Sequence, residues 1–347
     1  MGNRLKVAII GCGWAGIRHA RAFAGCGAAI TWAVDTDKQR AEQILQFQPA
    51  CRITGDFREA IVDPDLDAVD ICLPHDLHAP VSIDCLGAGK HVLVEKPIAA
   101  TLEEAERMIE EAEKCGVVLM VAENEVYSPL YRKVRDLIEE GTIGKPALVQ
   151  MTRGAYATED YKQNRPWFLD PEKAAGGMMM SGGIHDVEKL RMIVGEITAV
   201  QALQAPKRCP EMGADDTGVA VLRFQNGAIG LMIQSNSYKS AVTAAGEEIH
   251  QLRIDGELGS IEAIGTHGGR IRIFAEKADA LPEGSYIETE IIVPQEDTFH
   301  LEIAHFLHCL KSGEVPITAG SKMLRSLGII LAAYQSMEKG GTLVPIV

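Results

Sequence analysis

The sequence predicts an α/β protein: an N-terminal Rossmann-type, doubly wound parallel sheet, then a C-terminal α+β domain with an open, mostly antiparallel sheet. Three observations carry this reading. Over the first 122 residues, short apolar runs alternate with helical stretches, the pattern of successive βαβ units. A glycine-rich turn, Gly11-Cys-Gly13-Trp14-Ala15-Gly16, joins the first run to the first helix. Beyond Ala122 the alternation stops and strands follow strands. The expected domains are therefore 1–122 and 123–347, with the last helices able to pack back on the first domain.

Residues 6–10 (Lys-Val-Ala-Ile-Ile) are apolar and β-branched, as a parallel strand buried on both faces requires. In the turn that follows, the first glycine permits the tight bend, the second lets backbone approach a pyrophosphate, and the third lets the helix pack on the strand. A helical stretch, Ile17 to Gly25, follows, and its N-terminal N–H groups and dipole favour phosphate, with Trp14 and Ala15 of the turn also expected along the cofactor. A second strand, 29–34, ends in Asp35, 19 residues beyond Gly16, where a carboxylate accepts the ribose hydroxyls of an adenosine. A helix at 37–47 and strands at 67–74, 91–94 and 117–122 continue the alternation, with helices at 78–86 and 102–115. Thr101 caps the latter, with Glu103 and Glu104 in its first turn.

The second half reads as a helix near 130–140 and a strand at 147–152. A long loop, 154–175, and a helix containing His185 follow. Further strands are expected at about 199–203, 218–224, 228–234, 248–254, 259–263, 270–275 and 286–293. Asn226-Gly227 signals a hairpin turn. Two helices, near 297–310 and 321–339, close the chain.

At 347 residues, two cores are expected rather than one. Thirty-four basic residues against 48 acidic ones leave a net charge of −14, and no basic run offsets it, which argues against nucleic-acid and anionic-membrane partners. Eight scattered cysteines with no CxxC pair read as reduced thiols of a cytoplasmic protein. No segment has the apolar length of a membrane span or the pattern of a signal peptide. His300, His305 and His308 do not share one helical face, so they read as structural and no metal is expected.

The order of these motifs resembles the glucose–fructose oxidoreductase and inositol dehydrogenase family. Gly11 to Gly16, Pro74-His-Asp-Leu-His78, Glu95-Lys96-Pro97, Gly141-Thr-Ile-Gly-Lys-Pro146, Gly182-Gly-Ile-His185, Asp216-Thr217, Phe224-Gln-Asn-Gly227 and Gly341-Thr-Leu-Val-Pro345 carry the likeness nearly end to end. The resemblance implies a nicotinamide-dependent oxidoreductase acting on a secondary alcohol or ketone carbon of a sugar, sugar acid or cyclic polyol. It also implies a homodimer or homotetramer formed through the C-terminal sheet. Pro74, His78, Glu95 and Lys96 are then expected along the cofactor, and Lys96 and His185 at the reacting carbon. Histidine suits the proton transfer and lysine the developing alkoxide. The family's carboxylate four residues before the histidine falls on Ser181, a departure. The cofactor is expected to be NAD rather than NADP, because Asp35 and Asp37 repel a 2′-phosphate, although Lys38 and Arg40 lie close by.

Tyr156, Tyr161, Arg165 and Trp167 in the long loop are expected to contact substrate, since aromatic faces suit sugar rings and Arg pairs with carboxylate or phosphate. Asn124 and Tyr127 are further candidates. Two other classes stay open: a glycosidase using NAD transiently, and a non-catalytic sensor retaining the cofactor fold. A short-chain dehydrogenase is excluded, because none of the seven tyrosines has lysine four residues later.

Overall fold

The computed structural model describes residues 4–156, 158–276 and 286–346. The chain forms two compact units: one runs to Asn124 and includes Asp297–Leu327, and the other holds Glu125–Glu296 and the chain from Gly328.

The first unit is built on six parallel strands, β1 (Lys6–Ile10), β2 (Ala29–Val34), β3 (Arg52–Thr54), β4 (Ala68–Ile71), β5 (His91–Glu95) and β6 (Leu119–Ala122). Their order is β3-β2-β1-β4-β5-β6. The order reverses between β1 and β4, so the carboxyl ends of these two strands flank the crevice where this topology binds ligands. Burial on both faces explains why β1 and β4 carry apolar runs instead of alternation. The helix Leu102–Cys115 begins in a reciprocal capping box between Thr101 and Glu104 and stops at Gly116, in the left-handed conformation at φ 65°. The helix Thr298–Ser312 packs on the helix Trp14–Gly25, with Phe306 edge-on to Phe23 at 6.4 Å. The helix expected over 37–47 is split: Lys38–Glu42 is α-helical, and Gln43–Gln46 tightens into a 3-10 turn ahead of Pro49.

The second unit is a nine-stranded sheet of β7 (Pro146–Gly154), β8 (Ile197–Gln204), β9 (Thr217–Phe224), β10 (Ile229–Ser235), β11 (Ile249–Gly256), β12 (Gly259–Ile264), β13 (Gly269–Glu276), β14 (Tyr286–Val293) and β15 (Val344–Pro345). Their order is β14-β13-β12-β11-β7-β10-β9-β8-β15, and only β7 and β10 pair in parallel. Asn226-Gly227 makes the β9–β10 turn, with Gly227 at φ 94°. Segment 154–175 is not the plain loop expected. It holds the helices Thr158–Asn164 and Pro171–Ala174 and a 3-10 turn, Pro166–Leu169. Two prolines at first helical positions and Asp170, which accepts from Glu172 N at 3.1 Å, start these short elements. All eight cysteines are free thiols, and among the described residues no helix is long and apolar enough to cross a membrane.

Candidate active site

In the first unit the glycine-rich turn has the shape a dinucleotide needs. Gly11 sits at φ 93°, and a Cβ there would lie 2.2 Å from the Cys72 carbonyl oxygen. A Cβ on Gly16 would lie 2.0 Å from the Gly11 carbonyl oxygen, so the helix meets the turn only because residue 16 is glycine. Gly13 differs: its Cβ would meet no atom within 4 Å. That cleared space lies at the N-cap of the helix Trp14–Gly25, where backbone N–H groups are directed at an anion. Asp35, at the end of β2, accepts from Cys12 N at 2.9 Å and Asp37 N at 2.8 Å, which fixes its carboxylate beside the turn. These residues fit NAD. Half-buried Ala15 follows Trp14, whose exposed ring carries the Arg18 guanidinium at 3.6 Å and meets Phe299 edge-on at 6.0 Å.

Pro74 begins the turn after β4, and His78 opens the next helix. The His78 ring is completely buried, with Nδ1 2.7 Å from the Pro97 carbonyl and Nε2 2.9 Å from the Leu73 carbonyl. It faces protein backbone on both sides and ties the β4 loop to the segment after Lys96. Burial lowers its pKa, so the neutral ring donates to one carbonyl at a time. Glu95 and Lys96, at the end of β5, are half-buried, and the Lys96–Pro97 bond is cis.

The second unit presents Ser181 and His185. Ser181 ends the short helix Met178–Ser181, and Gly182, with helical dihedrals, leads into the helix Gly183–Val194. The two helices are nearly continuous, so Ser181 and His185 lie one turn apart on one face. Both are buried. Gly182 leaves room for its neighbours: a Cβ there would lie 2.8 Å from Arg153 Cδ and Met178 Cε, and these side chains would have to shift.

Beside His185 in sequence lies a feature that pattern reading missed. Arg153 and Lys189 are buried with Glu125 and Asp186 in one ionic cluster. Glu125 Oε2 is 2.6 Å from an Arg153 nitrogen and 2.5 Å from Lys189 Nζ, and Asp186 Oδ1 is 3.1 and 2.8 Å from the same two cations. Gln234 donates to Asp186 at 2.5 Å. Glu248 joins at the edge, 3.4 Å from Arg153 and 2.8 Å from His250. Burial alone would raise the Glu125 and Asp186 pKa values, but Arg153 and then Lys189 override it and hold both carboxyls low. Glu125, Asp186 and His250 have metal-ligand spacing, but here Arg153 and Lys189 supply the positive charge. One signal was available: Asp186 and Lys189 interrupt the apolar face of their helix at i, i+3 spacing.

The remaining candidates fall into different settings. Tyr161, Phe168, Cys209 and Met212 form a small satellite core; Tyr161 stacks on Phe168 at 4.9 Å and Trp167 on Phe168 at 4.1 Å. Arg165 pairs with Asp160 and lies 4.9 Å over the Tyr161 ring. Tyr156 stands outside this core, 42% exposed, with Lys239 Nζ 5.0 Å from its ring. Buried Asn124 donates to Thr298 Oγ1 at 2.8 Å, and buried Tyr127 lies 5.1 Å from the Arg132 guanidinium. His300, His305 and His308 each meet a different partner: Cys26 Sγ, the Ile317 N–H and Glu314.

Comparison with known proteins agrees with this geometry. Residues 5–123 match the model of the oxidoreductase family with an NAD-binding Rossmann fold, and residues 131–262 match the GFO/IDH/MocA C-terminal domain. The chain is 29% identical to a myo-inositol 2-dehydrogenase of Thermotoga maritima over 340 residues, covering 96% of this chain and 97% of that one. It is 28% identical to a scyllo-inositol 2-dehydrogenase (NAD(+)) of Bacillus subtilis, covering 98% and 96%. A levoglucosan dehydrogenase solved with NADH and L-sorbose shares the fold at a TM-score of 0.88 and 23% identity, covering 99% of both chains. The chain belongs to the GFO/IDH/MocA family of NAD-binding oxidoreductases.

Proposed function

We propose that the protein is an NAD-dependent dehydrogenase acting on a secondary carbinol carbon of a sugar, sugar acid or cyclic polyol, with His185 as proton acceptor and Lys96 at the substrate oxygen. The observation that carries this is the Gly13 clearance beside a fixed Asp35, in a chain that keeps both Lys96 and His185. NAD, when bound, supplies the hydride acceptor. The Lys96 ammonium stabilises the oxygen as its proton leaves, and His185 takes that proton. Ser181, one turn before His185, offers a hydroxyl to the substrate or to the imidazole. Tyr156 and Trp167 give aromatic surface for the ring of the substrate.

Preference for NAD follows from the neighbours of Asp35. Arg40 lies 3.6 Å from Asp37 and Lys38 lies 3.7 Å from Glu42, so the nearby cations are matched by acids and Asp35 keeps its repulsion toward a 2′-phosphate. Oligomerisation through the second sheet follows from its outer face. By strand register Leu148, Leu203, Val221, Ile229 and Phe274 point to the same side, and all are exposed. Eight free thiols suit the reducing cytoplasm.

A panel of polyols, sugars, sugar acids and glycosides, assayed for NADH formation, tests the proposal. Oxidation of a polyol or sugar is expected. Glycoside cleavage without net NADH, or NAD binding without any turnover, would overturn it.

A further inference from the structure

Next to Lys96 lies a chain of ionisable groups, running from half-buried Glu95 into the core, that the proposed reaction does not use. The Lys96 backbone N–H donates to Glu95 Oε2 at 3.0 Å. The other Glu95 oxygen lies 3.4 Å from His19 Nε2, a charge contact without hydrogen-bond geometry. Across the ring, His19 Nδ1 is 3.0 and 3.1 Å from the two oxygens of Asp70. His19 comes from the helix Trp14–Gly25, three residues beyond Gly16, and Asp70 from the middle of β4. Both are completely buried.

Burial would strip His19 of its proton, but the Asp70 carboxylate reverses this and holds its pKa well above the ordinary value. Burial would likewise raise Glu95, and His19 holds it low instead. The His19 ring thus lies between the carboxyl groups of Asp70 and Glu95, which favour its charged form. As a source of stability this arrangement is poor, because apolar side chains of the same volume serve a dry core as well or better. Strand β4 is otherwise apolar, so Asp70 has no local reason to be there. With no exposed surface, His19 can touch neither substrate nor cofactor. What the chain does fix is the direction of the Glu95 carboxylate, and through it the Lys96 peptide.

We propose that His19, clamped by Asp70, is a positioning residue that acts through Glu95 to hold Lys96 in its reacting geometry. The proposal rests on the reading of Lys96 as the group at the substrate oxygen. Misplacing a catalytic group by about 1 Å costs on the order of 10²-fold in rate.

The test uses the full chain carrying His19→Leu, Glu95→Gln, both together, and Lys96→Met. Amide exchange is followed at Lys96 and along Val92 to Val94, NADH affinity by fluorescence, and kcat and KM on the polyol that the panel selects. In His19→Leu, exchange at Lys96 should accelerate by about tenfold or more while the β5 ladder stays protected. NADH affinity should stay within about threefold and kcat should fall by roughly 10²-fold, with KM moving far less. Because the two residues act in series, the double variant should lose no more than Glu95→Gln alone. If His19→Leu does not fold, His19→Gln, which keeps one donor, should show a smaller change of the same kind. An undisturbed Lys96 amide, exchange rising evenly along β5, or losses that multiply would each overturn the proposal. Full turnover in Lys96→Met would instead refute the role given to Lys96, while the exchange data still decide whether His19 holds it.

Discussion

Glu302→Gln should stabilise the protein, and increasingly so as pH rises. Glu302 is completely buried on the helix Thr298–Ser312, and neither of its oxygens has a hydrogen-bond partner among the described residues. Its nearest cation is His19, with Nε2 3.9 Å away. Burial pushes its pKa well above the ordinary value. The attraction of His19 opposes this, while Glu95, Glu123 and Asp70 add to it. The fold therefore keeps a proton on Glu302 that the unfolded chain releases above about pH 4.3. In such a case stability is intact below the unfolded pKa and falls as pH rises through the window up to the folded pKa, by about 1.4 kcal/mol per pH unit. Glutamine keeps the shape of the neutral acid and has no proton to lose. Above about pH 4.3 the variant should thus gain on the wild type as pH rises, with little difference near pH 4. Urea unfolding followed by tryptophan fluorescence at several pH values measures this. A difference that does not change with pH, or a variant less stable throughout, would show that Glu302 is ionised in the fold.

NAD should bind more tightly than NADP, and Asp35→Ser should narrow the gap; equal or tighter NADP binding by the wild type contradicts the reading of Asp35. Ser181→Asp places a carboxylate one turn before His185 and should move the acidic limb of the oxidation rate profile to higher pH, whereas an unchanged profile in an active variant would mean that the two do not couple. Lys189→Met removes one of the two cations bonded to both Glu125 and Asp186, so urea unfolding at neutral pH should show a loss of about 3–5 kcal/mol. A loss below about 1 kcal/mol would mean that water reaches this cluster.

The first unit was largely legible because its signals are local. A parallel strand buried on both faces shows as an apolar run, and Gly11, Gly13, Gly16 and Asp35 follow at the spacing the turn requires. Segment 154–175 was read as a loop because its helices are too short for periodicity to register, and proline and Asp170 are as common in turns as at helix starts. The single parallel pairing of β7 with β10 was invisible, since strands that lie 75 residues apart announce no partner. The ionic cluster of Glu125, Arg153, Asp186 and Lys189 escaped for the same reason. Each charge reads as a surface residue until the fold brings its partners from three elements. Likewise His19, Asp70 and Glu95 belong to three unremarkable segments, and only tertiary structure lines them up behind Lys96.

His185 is proposed to take the proton as this chain oxidises a carbinol carbon. The most direct measurement is kcat of His185→Ala beside wild type, on the best polyol of the panel, with NADH affinity measured on both. A kcat lower by at least about 10²-fold with NADH binding preserved is the expected result. Near-wild-type turnover under conditions where hydride transfer limits the rate would contradict it.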